Sequence, residues 1–82
     1  MTEFEKEFLN NIDKTFKWIA RDKDGELNVY RNKPYKMREY GCWETDSRFC
    51  SLKCFSHLFH FIIWEDLEPK KLEDLRNVEL SW

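Results

Sequence analysis

Two runs of alternating side chains, separated by a four-residue turn, limit what this chain can become more than any other feature of its sequence. Phe16, Trp18 and Ala20 fall on one side of an extended segment, and Lys17, Ile19 and Arg21 fall on the other. Asp22-Lys23-Asp24-Gly25 then interrupts the pattern. Aspartate closes turns through its own carboxylate, and glycine supplies a positive φ. Leu27, Asn28, Val29 and Tyr30 resume the alternation, so the sequence predicts a β-hairpin. An isolated hairpin is marginal in water, and the rest of the 82 residues must therefore cover this one.

The flanking segments supply the cover. Thr2 and Glu5 form a capping-box pair, and Phe4, Phe8, Leu9 and Ile12 follow at helical spacing. A helix is predicted over 1–13, ended by the weak helix formers Asn10, Asn11 and Asp13. Asn32-Lys33-Pro34 stops the second strand, and 32–40 reads as a polar, basic loop. Short strands are expected at 42–45 and 48–52, and a helical turn or loop at 53–57. Segment 59–65 is apolar on both faces except at His60 and reads as a central strand. Glu68-Pro69 opens a final segment with Leu72 and Leu75 at helical spacing, proline standing near its first helical position. Residues 77–82 suggest no element.

The expected fold is α+β in a single domain spanning 1–82. The N-terminal helix lies on a small, twisted antiparallel sheet of about five strands (14–66), curled toward a barrel, with a C-terminal arm or short helix over 67–82. The expected core comprises 16–20, 27–29, Trp43, Phe49 and 59–64, with Phe4, Phe8 and Ile12 covering one face. Aromatic residues make up 17% of the chain, enough buried surface to hold so small a domain together and too many for a disordered one. The longest apolar run, residues 58–64, is far short of the roughly 20 residues a membrane helix needs. The acidic start is unlike the basic start of a signal peptide, and three cysteines, an odd number, fit reduced thiols. A cytoplasmic location is expected from these features.

The run Lys17-Trp18-Ile19-Ala20-Arg21-Asp22-Lys23-Asp24-Gly25-Glu26-Leu27 is followed by Lys33-Pro34, Gly41-Cys42-Trp43 and Ile63-Trp64-Glu65-Asp66-Leu67-Glu68-Pro69. In that order these segments resemble a group of small uncharacterised proteins carried by phages, prophages and mobile elements of Firmicutes and Bacteroides. The likeness covers about 16–69 and departs from the group at 50–60. It implies a setting and assigns no catalytic residue.

Cys50, Cys54, His57 and His60 carry the right atoms for zinc, at a spacing unlike the two separated ligand pairs of a finger. Read without a metal, they are small apolar residues and strand-end histidines, and no cofactor is expected. Nothing beside a cysteine marks a helix N-terminus, an oxyanion nest or an orienting base, so no enzyme is expected. Glu65, Asp66 and Glu68 read as solvated turn acids. Asp22, Asp24 and Glu26 imitate the start of a calcium loop, but Lys33 stands where that loop would close on a glutamate.

Charge is segregated along the chain: residues 1–13 carry a net −3, 14–40 a net +4 and 41–82 a net −3. In the basic part, Tyr30, Arg31, Lys33, Tyr35, Lys36, Arg38 and Tyr40 interleave rings with cations as a single-stranded nucleic-acid surface would. A solvated basic loop has the same composition. The leading expectation is a non-enzymatic phage or mobile-element accessory protein. It would bind another protein of a bacterial host, for instance to inhibit a host system, and would itself be a candidate homodimer through an open strand edge. Single-stranded nucleic-acid binding through 30–40 is the alternative, and no membrane partner is expected.

Overall fold

The computed structural model describes residues 1–77; the C-terminal end of the expected arm, with Trp82, lies outside them. Helix α1 (Glu3–Asn11) leads into strands β1 (Trp18–Arg21), β2 (Leu27–Tyr30), β3 (Tyr35–Met37), β4 (Cys42–Glu44) and β5 (Phe49–Ser51). A single 3-10 turn at Lys53–Phe55, the two-residue strand β6 (Lys70–Lys71) and helix α2 (Leu72–Arg76) complete the fold. The architecture is α+β. A four-stranded antiparallel sheet in the order β5-β2-β1-β6 is joined by a separate two-stranded sheet, β3-β4, and the two do not close into a barrel.

The N-terminus of α1 follows from local chemistry. The Thr2 hydroxyl accepts from the Glu5 N–H, and the Glu5 carboxylate accepts from the Thr2 N–H in return. Two otherwise orphaned donors are thereby satisfied. The predicted hairpin forms across Asp22–Glu26, with Trp18 opposite Tyr30, Ile19 opposite Val29, and Arg21 opposite Leu27. Gly25 takes φ +96° within the turn, a conformation costly for any other residue.

That register splits the side chains cleanly between two faces. Ile19, Leu27 and Val29 join Leu9, Phe59, Ile62, Leu72 and Leu75 in the larger core, closed by α1, α2 and the 56–62 loop. Ala20 and Tyr30, on the opposite face, join Trp43 in a second cluster closed by β4 and Trp64. The central hairpin is therefore covered on both sides by short elements, which is how a chain this size buries its strands.

Several expectations are corrected. Residues 59–65 form no strand. Phe59 adopts φ +56°, and the carbonyls of Ser56, Leu58, Phe59 and Ile62 all turn toward the Arg21 guanidinium at 2.7–3.1 Å. Carbonyls gathered on one cation cannot form the ladder of a strand. Within this segment Phe59 and Ile62 are buried, whereas Phe61 and Ile63 face solvent. Residues 32–40 are not wholly a loop, because Tyr35–Met37 pairs with Cys42–Glu44. Phe49 and Phe4, expected in the core or against it, are 57% and 60% exposed. Leu9, on the same helix, is the fully buried residue instead. Pro69 precedes β6 rather than opening α2.

Candidate functional site

The Cys/His run is scattered over the surface. Cys50 is exposed on β5, Cys54 is exposed in the 3-10 turn, and His57 and His60 are exposed in the loop that follows. No three of their ligand atoms come within 4.8 Å of one another. The cysteines are thus not the buried small residues of the metal-free reading either. Among the described residues, the acids that do converge within that distance are Asp22, Asp24 and Glu26 of the hairpin turn.

The basic segment is also divided. Tyr30 is fully buried and has no ring face to offer a base. The Lys36 ammonium is turned inward, donating to the Trp64 carbonyl and to the Asp66 carbonyl at 2.9 Å. It lies 4.3 Å from the Trp64 ring centroid and 5.4 Å from that of Trp43. Lys33 pairs with Glu68 at 3.0 Å and sits over Trp18. Arg31, Arg38, Tyr35 and Tyr40 remain exposed.

A different group of residues is brought together at the open corner of the second cluster. β2 contributes Asn28 and Tyr30, the turn contributes Asp22 and Glu26, β4 contributes Cys42, Trp43 and Glu44, and β5 contributes Phe49. They line a hollow of about 330 Å³ that has three carboxylates, three aromatic residues and no base in its wall. Asp22 is placed by accepting from the Trp43 N–H at 3.0 Å and from the Asn28 amide at 3.4 Å. Ser51 holds Glu26 with a hydrogen bond of 2.6 Å. Phe49 stacks 6.1 Å from the Tyr30 ring and forms the lip.

The electrostatics of the hollow are one-sided. Burial raises the Asp22 pKa, and the charges of Asp24, Glu26 and Glu44 raise it further against the lowering effect of the Trp43 N–H. The Cys42 thiol is pushed up to about 11 by burial, by its hydrogen bond to Glu44 and by the surrounding acids. The acids around it thus oppose formation of its thiolate. The Tyr30 hydroxyl is buried with no hydrogen-bond partner, the Asn28 side chain being its polar neighbour outside bonding geometry. Burial first, and then the charge of Asp22, keep it firmly protonated.

Sequence reasoning took Asp22 and Glu26 as turn residues and Tyr30 as a stacking platform, and gave Glu44 no role. The alternation in β2 does place Asn28 and Tyr30 on one face, but nothing local tells that β4 and β5 bring Glu44 and Phe49 to that same face. Comparison with protein-family models, with curated proteins and with solved structures finds no match.

Proposed function

We propose that this chain is a non-enzymatic binding protein that grips a protein partner along β5 and the hollow beside it. One observation carries the reading: β5 is one of the two edge strands of its sheet among the described residues, and it presents an exposed Phe49 at the lip of that hollow. An unpaired edge offers main-chain hydrogen bonds to a second chain, and an exposed ring beside a concavity is the usual anchor of an interface. The resemblance of residues 16–69 to small phage and mobile-element proteins suggests the setting we propose for it: an accessory protein acting on a component of a bacterial host.

The test is retention of a bacterial lysate on the immobilised protein, beside the Phe49→Asp variant. A host protein held at near-stoichiometric amount by the parent and lost by the variant is the expected result. No such protein, or equal retention by both, overturns the reading. Self-association through β5 would appear as a dimer in sedimentation that Phe49→Asp dissolves. The nucleic-acid alternative rests on Arg31, Arg38, Tyr35 and Tyr40, and it fails if alanine at all four leaves low-salt retention on single-stranded DNA unchanged.

A further inference from the structure

We propose that the hollow between β2, β4 and β5 receives an arginine side chain of the partner protein. The inference rests on the binding reading above and names the chemistry that the site would recognise. Its wall carries the carboxylates of Asp22, Glu26 and Glu44 and no base. A cationic occupant would relieve the mutual repulsion that acts on Asp22. Its shape and the remainder of its lining favour an organic cation over a metal ion. A volume of about 330 Å³ exceeds what a bare ion fills, and Trp43 and Phe49 contribute rings where a hard cation would demand oxygens. Both Asp22 oxygens already accept hydrogen bonds, and Asp24, third member of the converging acids, does not line the hollow.

Independent of the acids, the buried Tyr30 hydroxyl has no partner, although a buried polar group without one is costly. Tyr30 is one of the residues that line this hollow, and its hydroxyl, itself closed to solvent, is under the field of Asp22 and Glu44. A guanidinium brings five N–H donors in a planar fork, no acceptor, and a face that stacks on aromatic rings. It can therefore donate to the Tyr30 oxygen and to the carboxylates at once, while lying against Phe49 or Trp43. A lysine ammonium has the charge but not the planar face.

The experiment is a titration of the intact protein with N-acetyl-arginine methylamide, followed through backbone amide resonances. Acetyl-citrulline methylamide serves as the neutral isostere and calcium chloride as the competing cation. Saturable shifts at Asn28, Tyr30, Trp43 and Glu44 with the arginine compound, absent with citrulline, are expected. Tyr30→Phe and Glu44→Gln should each weaken the response roughly tenfold, as loss of one hydrogen bond to a charged group does, while the resonance dispersion of the fold persists. No saturable shift up to about 50 mM, an affinity too weak to contribute to an interface, overturns the inference. So does an equal response to citrulline, or a response confined to calcium at Asp24 and Gly25. Failure here together with a partner that Phe49→Asp still releases refutes the arginine and leaves the binding reading standing. An arginine response with no partner retained does the reverse.

Discussion

A single guanidinium decides the course of residues 56–62. Arg21 donates to the carbonyls of Gly25, Ser56, Leu58, Phe59 and Ile62, and among the described residues no carboxylate takes part. Hydrogen bonds to a charged group each contribute roughly 1.5–3 kcal/mol, and here they share one residue, so they are lost together. Arg21→Lys retains the charge but not the fork, and it should lower unfolding free energy by at least ~3 kcal/mol in urea denaturation. A loss below about 1 kcal/mol, the size of one ordinary hydrogen bond, would mean that the loop holds itself. Glu5 is a second residue acting at a distance: besides its capping role, its carboxylate accepts from the Phe59 N–H. Burial pushes the Glu5 pKa up, but the hydrogen bonds from Thr2 and Phe59 outweigh it and hold the group below its ordinary 4.5. A carboxylate depressed on folding stabilises fully above its unfolded value, and that stability is lost as pH falls through the folded one. The stability of the parent should therefore fall with acidification from about pH 4.5 downward. Glu5→Gln, which keeps an acceptor but cannot titrate, should flatten that limb in denaturation curves taken between pH 6 and 3 (about the carboxylate range).

Elements were legible in the sequence where their causes are local. The capping box sets the start of α1, and alternation about an Asp-Gly turn sets β1 and β2; each signal lies within a few residues of what it produces. The failure at 59–65 has the opposite character, because its conformation is imposed by Arg21, some 40 residues earlier in the chain. β3 was hidden by the lysines, arginines and Pro34 around it, and its pairing with β4 is reinforced by a contact no pattern predicts. Lys36 crosses from β3 to cap the carbonyls of Trp64 and Asp66, with Trp43 and Trp64 meeting edge to face beside it. Lysine looks like a solvated charge in a sequence and behaves here as a bolt. Lys36→Met preserves the stem and leaves two carbonyls without their donor. Amides of β3 and β4 should then exchange with solvent roughly thirtyfold faster, the equivalent of about 2 kcal/mol, while those of β1 stay protected. Unchanged exchange in β3 and β4 would show the hairpin to be held by its own ladder. The candidate site divides along the same line: Asp22, Glu26 and Tyr30 come from the legible hairpin, while Glu44 and Phe49 arrive through strand pairings set by tertiary structure.

At the scale of the whole molecule, the two clusters are opposite faces of the same four-residue strands. Ile19 and Val29 belong to one, Ala20 and Tyr30 to the other, and consecutive residues alternate between them. No backbone segment can therefore release one cluster while keeping the other, unlike a protein whose cores sit on separate elements. Unfolding should be a single transition despite the divided interior. Leu9 offers the test, since it is fully buried in the larger cluster and lies on α1, away from the tryptophans of the smaller one. Leu9→Ala should cost about 2–5 kcal/mol, the range for a buried leucine truncated to a cavity. Trp43 and Trp64 should report that loss through fluorescence at the same denaturant midpoint as far-UV dichroism reports it for the backbone. A fluorescence midpoint that stayed at its parental value while the dichroism midpoint fell would mean that the β3-β4 face survives the loss of α1. The hollow would then sit on an independently stable half. Coincident midpoints would instead tie the shape of the hollow to every element of the fold, so that a mutation in α1 reaches the binding surface through global stability alone.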